Sequence, residues 1–285
     1  MKYGINLYLW ADDMHDGLVP VLEILKRIGY DGVEVPIFDL DPENWKGWAK
    51  RLDEIGLERT ANTVIAPEHN PVSDDPNIRK AAFEHMQRVV DCCAAVGSRI
   101  LCGPHQVALG VFTGRGATDE EWKRSVDHLR RVAGYAEKQG VVLAEEVVNR
   151  FEVYHLNILD QGIKLVDEVG HPNCKLHLDT FHAHIEEKDP AAAMRRAGER
   201  IAHVHISEND RGVPGSGSVR WDATFDALGD IGYDGWLTVE AFGNFLPNLA
   251  AATKIWRPLF DSEEQLATDA LEFLHTRTSH VARRR

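Results

Sequence analysis

The chain has 285 residues, 44% apolar and 27% charged, enough to bury a sizeable core as one large domain or two small ones. A formal net charge of −13 argues against a surface built for nucleic acid or acidic membrane, and the terminal Arg283-Arg284-Arg285, too short to reverse that balance, is expected to fray. The four cysteines, Cys92, Cys93, Cys102 and Cys174, lack zinc-type spacing and suit reduced, buried thiols. The N-terminal stretch has no basic segment leading into a long apolar run, and nothing reaches the apolar length of a membrane span. A soluble cytoplasmic protein is the expectation.

In chain order, Tyr3–Trp10 reads as a first strand and Leu18–Ile28 as a helix stopped by Gly29. Val33–Ile37 is a second strand, Pro42–Ile55 a helix closed by Gly56, and Leu57–Ile65 a third strand. The polar loop 67–76 precedes a long helix over about 77–96. Ser98–Gly103 is the fourth strand, 104–117 a glycine-containing loop, and 119–139 a helix. Val141–Glu152, VVLAEEVVNRFE, begins as the fifth strand and runs straight into carboxylates. A helix at 157–169, a strand at Lys175–Asp179, a helix from Asp189-Pro190 to Arg200 and a strand at Ile201–Ser207 follow. The glycine-rich loop 211–219 leads to a helix at 221–231 and the eighth strand, Trp236–Glu240. The rest, to about Thr278, reads as mainly helical, interrupted at Pro247 and Pro258.

Strands alternating with helices imply a parallel sheet, and eight such repeats match a closed (β/α)8 barrel, which typically takes about 250 residues. The phrases IGYDGVEV (28–35) and IGYDGWLTVE (231–240) repeat one helix-end, turn and strand unit. A doubly wound open sheet would carry a glycine-rich phosphate loop after its first strand, and Trp10-Ala11-Asp12-Asp13 stands there instead. The expected organisation is one barrel domain over 1–285 with a C-terminal helical extension.

Glu146, Asp179, His205 and Glu240 close strands five to eight, the ends where such barrels build active sites. One strand-end carboxylate is ordinarily a solvated loop residue; four consecutive strands closing on metal-binding residue types are harder to dismiss. Three carboxylates and an imidazole form a hard-to-borderline donor set, favouring Mn²⁺, Co²⁺ or Mg²⁺ over thiolate-type zinc. Glu152, His182 and Arg211 follow three of these residues at short loop offsets and carry polar groups suited to hydroxyls. His177 and His203 are expected to point away from the barrel interior, and His184 to be a loop residue without a role. Only one of Glu145 and Glu146 should face inward, and the pattern does not choose between them. Tyr8, Trp10, Phe112 and Phe242 are read first as core, with a place around the far end of a pocket as the alternative.

EEVVNRFE (145–152), LDTFHAHIEE (178–187), HVHISENDRGVPGSG (203–217) and WLTVEAF (236–242) together resemble the ketose 3-epimerases, which act on tagatose, psicose (allulose) or ribulose within the xylose-isomerase-like barrels. The similarity runs over nearly the whole chain. It implies a TIM barrel and one Mn²⁺ or Co²⁺, with Mg²⁺ as a third choice, held by Glu146, Asp179, His205 and Glu240. It selects Glu146 over Glu145 and implies sugar contacts from Glu152, His182 and Arg211. It also implies a homodimer or homotetramer. One departure is Glu240-Ala241, where many relatives have Glu-Pro; the 104–117 loop takes no role from the resemblance.

The chemistry implied is removal of the C3 proton beside the C2 carbonyl of a ketose and its return to the opposite face through an enediolate. The metal would act as a Lewis acid, and Glu146 and Glu240 as the two proton-transfer groups. The alternatives are another isomerase or lyase of the same barrel (hydroxypyruvate isomerase, inosose dehydratase) or a sugar-binding barrel without catalysis. Endonuclease IV, the superfamily's DNA repair enzyme, is disfavoured by the charge and the single-metal constellation.

Overall fold

The computed structural model describes residues 1–282, and the Arg283–Arg285 triplet lies outside them. Eight parallel strands close into a barrel in sequence order: β1 Lys2–Asn6, β2 Gly32–Pro36, β3 Glu58–Asn62, β4 Ile100–Gly103, β5 Val142–Glu146, β6 Cys174–Asp179, β7 Ile201–Ile206 and β8 Trp236–Val239. β8 returns to β1 with Tyr3 opposite Leu237 and Ile5 opposite Val239. Helices α1 Val19–Ile28, α2 Pro42–Ile55, α3 Pro76–Ala95, α4 Asp119–Lys138 and α5 Leu159–Val169 follow the first five strands. α6 Thr180–Glu186 and α7 Pro190–Ala197 follow β6, α8 Trp221–Asp230 follows β7, and α9 Pro247–Thr253 and α10 Glu263–Ala282 follow β8.

Local chemistry sets most helix ends. Thr118 and Glu121 form a reciprocal capping box at α4, and Asp41 and Asp75 cap helices whose first residue is proline. Left-handed Gly29, Gly56 and Gly170 end α1, α2 and α5. Four elements differ from the sequence expectation. The first strand stops at Asn6 because its side chain accepts the Tyr8 N–H at 2.8 Å and starts a 3-10 turn. The third strand contracts to five residues. The unexpected α6 is nucleated by Asp179, whose carboxylate accepts the N–H groups of Phe181 at 2.6 Å and His182 at 3.3 Å. Pro247 opens α9 instead of interrupting a helix.

The apolar core lies outside the barrel. Ile5, Val33, Leu101, Leu143, Leu178, Val204 and Leu237 pack beneath the helices, while Asn6, Glu34, Thr60, Cys102, His177 and His203 occupy alternate positions on the same strands. Within that polar interior Asn6 Nδ2 and Thr60 Oγ1 donate to Glu34, at 2.9 and 2.8 Å. Tyr30 and Tyr3 tie α10 to the barrel, through Ala267 O at 2.8 Å and Thr278 Oγ1 at 2.6 Å. All four cysteines are free and buried. Among the described residues, no helix is long and apolar enough to cross a membrane.

Gly103, at the end of β4, has φ +134, and a Cβ there would stand 2.0 Å from the Thr63 carbonyl oxygen. Gly103→Ala should therefore lower stability by at least about 1–3 kcal/mol from the backbone conformation alone, read as a lower denaturation midpoint in urea.

Candidate active site

β5 to β8 carry Glu146, Asp179, His205 and Glu240 to the mouth of the barrel, all nearly or fully buried. His205 organises the centre. Its Nε2 lies 2.6 Å from Glu34 Oε1, so Nδ1 is the nitrogen turned to the pocket. There it stands 3.4 Å from Glu240 Oε1 and 3.6 Å from Asp179 Oδ2, with no hydrogen-bond partner. Burial opposes protonation of His205, yet Glu34 and Glu240 raise it well above the ordinary imidazole value. The pocket favours a cation at this point.

Arg211 answers part of that demand. Its Nη1 donates to Glu240 Oε2 and lies 3.3 Å from Asp179 Oδ2, while Nη2 stands 3.1 Å from His182 Nε2. The guanidinium is flanked by the rings of Phe181 at 4.0 Å and Phe242 at 5.1 Å. His182 Nε2 is 3.5 Å from Glu146 Oε1, and its Nδ1 accepts the Asn149 N–H at 3.1 Å. Asn149 Nδ2 also donates to Glu152 Oε1 at 2.8 Å, so Glu152 joins the site through Asn149. The two acids on β5 and β6 are shifted in opposite directions. Burial raises the Glu146 carboxyl against the pull of His182. The same loss of water acts on Asp179, but Arg211 and His182 outweigh it and hold that carboxyl well below the usual range.

The residues fit a divalent cation. Asp179, His205 and Glu240 offer ligand atoms within 4.8 Å of one another, and so do Glu146, Asp179 and His182. The oxygen-rich donor set and the unpartnered, buried His205 Nδ1 are what such an ion requires.

All seven sequence candidates stand in this neighbourhood. Glu145 points the other way, with Oε1 3.0 Å from His105 Nδ1 in a buried pair. His177 and His203 do not turn away as expected. They sit two residues before Asp179 and His205, hence on the same face of each strand, and pack edge to face beneath the site with His177 4.0 Å and His203 5.2 Å from the His205 ring. Tyr8 and Phe242 pack together with Ile255 at the mouth, whereas Phe112 is half exposed and belongs to no core. Trp10 packs against the main core, partly buried. Sequence reasoning missed Glu34 and Asn149. A carboxylate inside the apolar strand GVEVP was the available signal, because a buried charge needs a partner.

A closed barrel of eight parallel strands with its acids and imidazoles at the C-terminal strand ends is a TIM barrel, and residues 22–276 match the model of the xylose isomerase-like TIM barrel family. The chain is 34% identical to the L-ribulose 3-epimerase of Methylomonas sp. (strain DH-1), covering 97% of this chain and 98% of that one. It is also 34% identical to the D-psicose 3-epimerase of Enterocloster bolteae, covering 96% and 94%. The crystal structure of Methylomonas D-allulose 3-epimerase in complex with D-allulose superimposes with a TM-score of 0.91, at 34% identity over 97% of each chain. The chain belongs to the ketose 3-epimerase family of these barrels.

Because Glu34 orients His205, Glu34→Gln should weaken divalent-cation binding by about 10–100-fold, measured by equilibrium dialysis with Mn²⁺.

Proposed function

We propose that this chain is a metal-dependent ketose 3-epimerase that inverts C3 of a free ketose by proton removal and return through an enediolate. Glu146, Asp179, His205 and Glu240 are the metal ligands, and Glu146 and Glu240 the proton-transfer groups. Glu152, His182 and Arg211 bind the sugar hydroxyls. The observation that carries this reading is the meeting of acids from β5 and β8 across one pocket: Glu146 reaches His182, His182 reaches Arg211, and Arg211 reaches Glu240.

Inverting a carbon acid needs one group on each face of C3. One carboxylate removes the proton. The other, in its acid form, returns a proton to the opposite face, and the direction of reaction sets which acts first. A divalent cation, when bound, supplies Lewis-acid stabilisation of the negative charge that develops on the sugar oxygens. Three carboxylates and one imidazole suit Mn²⁺ or Co²⁺, with Mg²⁺ as a third choice. Asn149 supports the sugar contacts by holding both His182 and Glu152. The buried mouth limits water around the intermediate.

Assembly as a homodimer or homotetramer is part of the proposal. It is supported by the exposed Phe112, Phe151 and Phe245, on loops that follow strands, and by the exposed Trp256, on the loop between α9 and α10. A reducing, cytoplasmic setting suits the four free cysteines.

Glu146→Gln and Glu240→Gln should each lower turnover by about 10²–10⁴-fold while retaining part of the metal binding. Ketose recovered from D₂O should carry deuterium at C3, read by mass spectrometry and NMR. Full turnover without exchange at C3 would sink the proton-transfer scheme.

A further inference from the structure

The glycine-rich stretch 211–219 cradles an anion supplied by the chain itself. Glu208, fully buried just after β7, accepts the N–H of Asn209 at 2.9 Å and of Val219 at 3.1 Å on Oε1. Its Oε2 accepts the N–H of Gly215 at 2.8 Å and the indole N–H of Trp221 at 2.9 Å. One carboxylate thus gathers donors from both ends and the middle of a loop without regular secondary structure. Burial alone would raise this carboxyl, and the converging donors hold it below the ordinary range. The close wrap explains the composition. A Cβ at Gly217 would stand 2.6 Å from Glu208 Oε1 and 2.2 Å from Asn209 Oδ1.

The same loop presents Arg211. Its backbone is left-handed, with φ +67, which a non-glycine residue keeps only when its surroundings enforce it. Its N–H donates to the Glu208 carbonyl at 2.9 Å, and its own carbonyl accepts the Phe242 N–H at 3.0 Å. The loop conformation therefore determines where the guanidinium enters the pocket.

We propose that Glu208 is a positioning residue of the epimerase: its buried carboxylate templates the 209–221 loop and thereby aims Arg211 at the bound sugar. This rests on the reading of Arg211 as a sugar contact.

A double-mutant cycle tests it. Glu208→Gln places an amide N–H₂ among N–H donors and should lower kcat/KM for a ketose about tenfold or more, mainly through KM, with Mn²⁺ stoichiometry unchanged. Trp221→Phe removes a single donor and should give a smaller loss of the same kind. On an Arg211→Ala background both substitutions should add no more than about a twofold further loss, because they act through the side chain already removed. Losses that multiply in full, or an unchanged KM in both single variants, would overturn the proposal. If Glu208→Gln does not fold, judged by its circular dichroism melt, the Trp221→Phe cycle decides by the same criteria. An Arg211→Ala enzyme with wild-type kcat/KM would refute the sugar-contact reading itself, and the Glu208 role with it. An Arg211→Ala loss combined with multiplicative Glu208 or Trp221 effects would refute the Glu208 role alone.

Discussion

The contact between Glu34 and His205 is the constraint around which the barrel is arranged. Glu34 stands inside a closed barrel, beyond water, and an ionised carboxylate there costs several kcal/mol unless donors surround it. Asn6, Thr60 and Cys102 donate to it from β1, β3 and β4, and His203 and His205 approach it from β7 at 2.8 and 2.6 Å. Four strands and β2 itself therefore converge on one side chain. The result is a His205 ring whose free nitrogen has one available direction, toward Asp179 and Glu240.

Such an interior reverses the usual arrangement, in which branched apolar side chains fill a barrel in layers. Here the apolar packing sits mainly between barrel and helices, and the inside is lined largely by polar groups, with Trp236 among them. Stability and chemistry are thus carried by opposite faces of the same strands. The separation lets acids and imidazoles accumulate at the mouth while the core outside remains intact. The charge excess there is met locally. Arg211 and His182 overcome the desolvation of Asp179, whereas His182 does not overcome that of Glu146. Two neighbouring carboxyls consequently differ in proton affinity because their charged partners differ.

Much of this was legible in the chain. Apolar runs of four to six residues ending in Glu146, Asp179, His205 and Glu240 located the mouth, because a strand exposes chemistry only where its pairing ends. Helix boundaries were legible where capping chemistry is local, as at Asp41-Pro42 and Gly56. The short α6 was not, since Asp179 was read as a ligand and its second use, capping the helix that follows, is made by its other oxygen. His177 and His203 lie on the pocket side of their strands because residues two apart share a face, so both belong with Asp179 and His205, which they precede.

The sequence by itself determined the barrel, its eight units and the strand-end residues of the second half, because each is encoded within one contiguous βα segment. Family resemblance, not periodicity, chose Glu146 over Glu145, and the structure gives the geometric counterpart: Glu145 pairs with His105 on the outer face. Only the tertiary structure decided that Glu34 sits beneath His205, 171 positions away, and that Glu208 gathers the loop carrying Arg211. The reason is physical. A buried carboxylate is defined by the donors that surround it, and those donors come together only when the barrel closes.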